Sequence, residues 1–320
     1  AAASTVLIYG VFLRATPEQP VGQLNAAGYP PLATAMTVMI AASILAISLG
    51  TWRAIPRLYR PDAAGDTVAV RVKQIGRTLG NRSFLVATVA TMVGGLSLGF
   101  EAGLRLYFHT FLWGLGPTEI MILSLIAIPA PVAAALIAPW LARRLGKKQA
   151  CMAMFFAGML LMHAPMLLKL TGVLTLDQPV QLLAVLSAFT FASTALNVGG
   201  FMAVSSMVYD ISEDVQKVTG ERSEGLIGTA ESLPSRVANS VSVAFPGMLL
   251  AAVDFPEQAR PGPETYAMIA QVGWAYMPLM ALISSTSIAL WALFRIDQRT
   301  HEANLQVVEG SPADLPGRAV

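Results

Sequence analysis

The chain has one cysteine, Cys151, and three histidines, His109, His163 and His301, among its 320 residues. That leaves nothing from which to build a disulfide framework or a Cys/His metal cluster, and no metal or cofactor site is expected. Charge is also scarce, at 12% of residues against 55% hydrophobic. The net charge is only +2, and no basic block interleaved with aromatics offers a nucleic-acid surface. The opening AAASTVLIYGVFLR lacks an initiator Met, a basic n-region and a small-residue cleavage site, so it does not read as a signal peptide. Too short to span, it reads as the end of a helix that begins upstream. Within the apolar runs, no nucleophile, acid/base pair or metal-ligand set forms a constellation, so an enzyme is not expected. What the chain does have is long charge-free stretches and a mean hydropathy of +0.60, the composition of an all-α integral membrane protein.

Hydropathy places spans near 31–54, 84–113, 117–141, 149–169, 180–209, 226–252 and 267–295, with a partial one at 1–13. Basic residues then orient them, because short loops rich in Lys and Arg stay in the cytoplasm. Arg53, Arg57, Arg60, Arg71, Lys73, Arg77 and Arg82 fall in the segment 51–82, and Arg143, Arg144, Lys147 and Lys148 in the turn after 117–141. The alternate loops carry only Arg14 and Arg260, with Lys169 at a helix end. This parity puts the C-terminal tail from Asp297 in the cytoplasm. The tryptophans Trp52, Trp113, Trp140, Trp274 and Trp291 fall near span ends, as an aromatic belt does. Residues 55–82, with PRLYRPDAAGD, read as a polar linker between two helical bundles.

Polar side chains inside the spans carry the functional information, since a mid-membrane charge costs at least about 2.5–3.5 kcal/mol and turns towards protein or water. Arg236 lies ten residues into the 226–252 span, near the midplane. Ser232, Ser235, Asn239 and Ser242 recur beside it at helical spacing, and Ser187, Thr190, Thr194 and Asn197 do so in the 180–209 span. Both stripes read as cavity walls, with interhelical hydrogen bonding as the structural alternative. Glu231 is too far round the helix to pair with Arg236 and needs another partner or an aqueous vestibule. Glu101 and Arg105, four residues apart, are placed to form an ion pair serving structure or gating. Gly95, Gly99 and Gly103 in the same span let a neighbouring backbone approach closely. Pro129, Pro131, Pro234 and Pro246 are expected to bend their helices.

The stretch VYDISEDVQKVTGERSEG, residues 208–225, carries seven charges in eighteen residues between two apolar runs. In the order and spacing of Asp210, Glu213, Thr219, Gly220, Arg222, Glu224 and Gly225 it resembles the cytoplasmic signature of the glycoside-pentoside-hexuronide:cation symporters, the melibiose-permease-like branch of the major facilitator superfamily. NAAGYPP (25–31), GTWRAIP (50–56), YFHTFLWGL (107–115), RRLGKK (143–148) and RIDQRTHE (295–302) extend the resemblance along the chain. It implies a major facilitator-type helical bundle that corresponds to the family from about its fifth helix to its twelfth. Residues 1–54 would then end the N-terminal bundle as helices 5 and 6, 55–82 would be the cytoplasmic interbundle linker, 83–296 the C-terminal six-helix bundle, and 297–320 the cytoplasmic tail. It also implies alternating-access transport of a sugar, glycoside or hexuronide coupled to Na+, Li+ or H+. Arg236 falls where similar members carry a lysine.

The expected protein is therefore a monomeric, multi-pass protein of the inner membrane, in contact with lipid and acting on a small, sugar-like substrate. Arg236, Asn239, Asn197 and Glu231 are the candidate substrate or coupling residues. Asp210, Glu213, Arg222 and Glu224 would form a reversible cytoplasmic clasp, with Glu101 and Arg105 as further gating candidates. Two alternatives stand beside this reading: a lipid or lysolipid carrier of the same superfamily, and a transporter fragment without activity.

Overall fold

The structure, a computed structural model, describes residues 2–17, 19–57, 82–175, 178–219, 224–256 and 258–293; of 57, 83, 210–219 and 224–232 only the backbone is described. Among the described residues it is a helical membrane bundle without strands. A short helix α1 (Ala2–Thr5) runs on as a π-helical turn over Val6–Phe12. The long helices are α2 (Tyr29–Thr51), α3 (Arg82–Tyr107), α6 (Lys147–Leu170), α7 (Pro179–Thr219) and α10 (Pro263–Ala292). Shorter ones are α4 (Pro117–Ile126), α5 (Ala130–Leu145), α8 (Glu224–Ser242) and α9 (Phe245–Ala251).

Among the described residues, six stretches are long and apolar enough to cross a membrane: Ala26–Pro56, Phe84–Leu112, Pro117–Leu145, Lys147–Leu170, Pro179–Tyr209 and Pro263–Ala292. The stretch 226–252, expected as one span, is instead two helices, α8 and α9, joined by a turn at Val243–Ala244. Pro246 has no N–H to give to the carbonyl of Ser242, so the ladder breaks there. Pro129 and Pro131 likewise separate α4 from α5 by a turn at residues 127–129. The opposite departure occurs at 210–219, where helix α7 continues through the charged stretch to Thr219 because no glycine or proline interrupts it before Gly220.

With apolar lipid outside, burying hydrocarbon contributes little to helix association, and close packing decides. The α3–α8 seam illustrates this. A Cβ placed on Gly95 would sit 2.5 Å from the Ser235 carbonyl oxygen, one on Gly99 would overlap Ser242 Oγ and Asn239 O, and one on Gly103 would lie 2.5 Å from Pro246 Cγ. The glycine stripe thus seats α8 and α9 backbone-close along α3. Around this seam α6 packs on α7, α5 on both, and α10 on α3 and α6. One apolar cluster joins Phe84, Met154, Met207 and Trp291 near the end that bears the basic turn at 143–148. A second, with Phe108, Met166, Ile269 and Tyr276, occupies the other end, and a third gathers Leu115, Ile120, Leu123 and Leu186. Trp291 is 1% exposed, so it is a core residue and not the interfacial anchor expected from its position near a span end. The turn between α5 and α6 is made at Gly146, whose φ of +83° suits only glycine.

Helix α2 has no buried residue, and its main contacts are with nearby segments of the chain, Val6–Phe12, Ala26–Gly28 and Trp52–Arg57. The linker 58–81 and the tail 294–320 lie outside the described residues.

Candidate functional site

Between the three apolar clusters lies a cavity of about 580 Å³, walled by α3, α4, α6, α7 and α10 and reached by Tyr9 from the first segment. Its volume falls in the range of about 300–1,000 Å³ common for small-molecule sites. Helix α3 turns Glu101 and Arg105, four residues apart on one face, towards it, and His109 lines it from the π-helical turn Phe108–Leu112 that follows. Arg105 Nη2 donates to Glu101 Oε1 at 2.6 Å, forming the ion pair expected from their spacing. Glu101 is the more enclosed partner, with 22% of its side chain exposed against 59% for Arg105. Arg105 lies within electrostatic reach of Tyr9 and Tyr276.

From α7, Thr190, Thr194 and Asn197 line the cavity, and three residues of the expected α7 stripe therefore share one wall. Asn197 Nδ2 donates to the Ser193 carbonyl at 2.9 Å, and its amide packs over Gly158 of α6, where a Cβ would come within 2.9 Å of Asn197 Oδ1. Ser97 of α3 and Ser284 of α10 face each other with their hydroxyl oxygens 3.3 Å apart. Ser287 Oγ donates to the Ala90 carbonyl at 2.9 Å and ties the same two helices.

Other candidates fall elsewhere. Asn239 and Ser242 of α8 lie on the seam with α3 and are absent from the cavity wall. Ser242 is fully buried there, with its hydroxyl donating to Asn239 O at 2.9 Å. The α8 stripe is a packing face, not the wet wall expected from its polarity. Arg236, at the edge of that face, is exposed beside Val237 and Leu233 and outside the cavity. The side chains of Glu231, Asp210, Glu213 and Glu224, and the whole of Arg222, lie outside the described residues, so the clasp geometry does too.

Three side chains that sequence patterns did not single out complete the picture. His163 of α6 and His109 line the cavity, and His163 Nε2 and His109 Nδ1 are buried without a hydrogen-bond partner. The His163 ring lies 5.8 Å from that of Tyr276, which is 3% exposed. Gln23, in the loop before α2, is 1% exposed and donates to Thr110 Oγ1 at 3.1 Å and to the Leu115 carbonyl at 3.0 Å. Tyr29 Oη donates to the Gln23 carbonyl at 2.6 Å and fixes the loop from its other side. The loop is thereby pinned over the end of the bundle opposite the basic turn. A lone histidine or glutamine has no periodicity, so only their surroundings reveal them.

The sequence model of the MFS/sugar transport protein family matches residues 1–298. No curated protein and no solved structure matches the chain. A multi-pass helical bundle with an internal cavity agrees with the family match, which covers nearly the whole chain, and on these grounds the protein belongs to the MFS/sugar transport family of the major facilitator superfamily, a transporter and not an enzyme.

Proposed function

We propose that this protein is a secondary active transporter that carries a sugar, glycoside or hexuronide across the inner membrane together with a cation, by alternating access. The observation that supports the reading is the cavity, where charged, hydroxyl and imidazole groups from several helices converge within apolar walls. A membrane bundle bears the cost of so many polar groups at depth where they meet a hydrophilic solute or ion. The coupling cation is Na+, Li+ or H+, and Glu101 is the carboxylate that the cavity offers it. Alternating access needs contacts that close each end in turn. The Gln23 loop closes the end near Thr110 and Leu115, and the charged residues Asp210, Glu213, Arg222 and Glu224 form the clasp at the cytoplasmic end. In this reading Arg236, exposed on α8 and outside the cavity, meets substrate or coupling ion at another stage of the cycle, while Asn239 packs on the seam with α3.

A lipid or lysolipid carrier is the second reading, and Arg236 is the observation that favours it. A cation set among Leu233, Val237 and Val241 on an exposed helix face is suited to an anionic headgroup with its tails alongside. Uptake by proteoliposomes containing the full-length protein separates the two. Counterflow of a labelled sugar, lost in Arg236→Ala without loss of protein from the membrane, is the expected result. Lysolipid movement without sugar counterflow would reject the sugar reading, and normal sugar uptake by Arg236→Ala would remove that residue from the site.

A further inference from the structure

The hydrogen-bonding capacity of the cavity wall is unbalanced. His163 Nδ1 lies 2.8 Å from the Met159 carbonyl. A carbonyl only accepts, so Nδ1 carries the ring proton and Nε2 of the neutral imidazole presents a lone pair. That Nε2 is buried and receives no donor from the protein, and His109 Nδ1 in the same wall is likewise unpartnered. Several of the protein's own donors in this wall are already committed. Ser287 gives its proton to Ala90 O, Ser193 to Thr190 O at 3.2 Å, and Asn197 an N–H to Ser193 O. Arg105, the single arginine or lysine among the residues lining the cavity, is engaged by Glu101 at 2.6 Å.

The wall therefore holds an unsatisfied acceptor at His163 and offers no uncommitted cation. A ligand that supplies O–H groups satisfies it, whereas a carboxylate brings further lone pairs and a charge whose natural counter-ion is already neutralised. Tyr276 braces the imidazole, its ring centroid 5.8 Å from that of His163, and is itself packed by Phe108 at 5.2 Å.

We propose that His163, braced by Tyr276, forms a hydroxyl-accepting subsite that makes this cavity selective for a neutral, hydroxyl-rich solute over the corresponding carboxylate. The proposal rests on the transport reading above and narrows its substrate class, setting the hexuronide and the anionic headgroup below the neutral sugar. His163 acts here as a binding residue through Nε2, and Tyr276 as a positioning residue.

The test uses the full-length protein in detergent. Its thermal melting is followed against glucose, galactose, xylose, lactose and sucrose, and against glucuronate and galacturonate. At least one neutral sugar binds, and at least tenfold more tightly than its uronate counterpart. His163→Leu weakens that sugar at least tenfold, while His163→Gln, which restores an acceptor, stays within about threefold. Nitrogen-15 histidine spectra of the wild type keep the test decisive if His163→Leu misfolds. With the resonances assigned from His163→Gln, the bound sugar shifts Nε2 of His163 and leaves Nδ1 in place. A uronate that binds as tightly as the neutral sugar overturns the proposal and leaves sugar transport standing, as does sugar binding that moves neither the His163→Leu affinity nor the Nε2 resonance. Absence of binding by every sugar and uronate overturns both the proposal and the sugar reading on which it rests.

Discussion

Replacing Gly99 by alanine probes the seam on which the bundle's geometry depends. The added Cβ would coincide with Ser242 Oγ and Asn239 O, and would stand 3.0 Å from Ser242 Cβ. Ser242 is fully buried and its hydroxyl is bonded to Asn239 O, so the serine has no open space into which to turn. The Asn239 carbonyl belongs to the α8 backbone, and relief requires α8 to move away from α3. Overpacking of this kind costs about 1–3 kcal/mol, and with backbone on the far side the upper end, about 3 kcal/mol, applies. At ~2–4 °C per kcal/mol this corresponds to a melting point lowered by roughly 6–12 °C. Gly95→Ala, which meets the Ser235 carbonyl at 2.5 Å, should fall in the same direction. Gly50→Ala on α2 meets nothing within 4 Å and should melt with the wild type or slightly above it, because alanine is the better helix former. Cys151 supplies the readout, since it is the sole cysteine of the chain and is buried, so a thiol-reactive fluorogenic dye reports its exposure on heating. Equal melting of Gly99→Ala, Gly50→Ala and wild type would mean that α3 and α8 do not meet at these carbonyls.

Two further perturbations address the closed end of the bundle and the cavity. Gln23→Leu removes both side-chain bonds to Thr110 and Leu115, which at about 0.5–1.5 kcal/mol each amounts to about 1–3 kcal/mol, so the variant should melt lower. A cysteine introduced at Gln19 should also label faster in that variant; unchanged melting and labelling would show that the loop is not held by Gln23. Glu101→Gln frees Arg105 of its counter-charge and should reduce transport at least tenfold while shifting the melting point little, because the pair is partly exposed. Transport at the wild-type rate would assign Glu101 a structural role only.

Helix existence was legible in the sequence because a span needs about 20 apolar residues and such runs are hard to mistake. The glycine stripe was legible as a site of close approach, and its partner was not, since spacing fixes which residues share a face but not what lies opposite. The same limit explains the α8 stripe. Ser235, Asn239 and Ser242 have the period of a polar face, yet through backbone carbonyls and serine hydroxyls they meet the glycines of α3 and do not line the cavity. On α7 the same pattern, through Thr190, Thr194 and Asn197, does face the cavity. Polarity alone could not separate these two cases. His163 escaped attention because its significance depends on a carbonyl four residues earlier that fixes its tautomer and on Tyr276 more than a hundred positions away. The buried Gln23 gave only an indirect signal, its place just before the NAAGYPP segment that the family resemblance had marked.

The most direct test of sugar:cation symport is accumulation of a labelled sugar by proteoliposomes under an imposed cation gradient. With an inward Na+, Li+ or H+ gradient, the sugar should rise above its external concentration, and an ionophore that dissipates the gradient should return it to equilibrium. Sugar movement that never exceeds equilibrium and does not respond to any of the three gradients would contradict it.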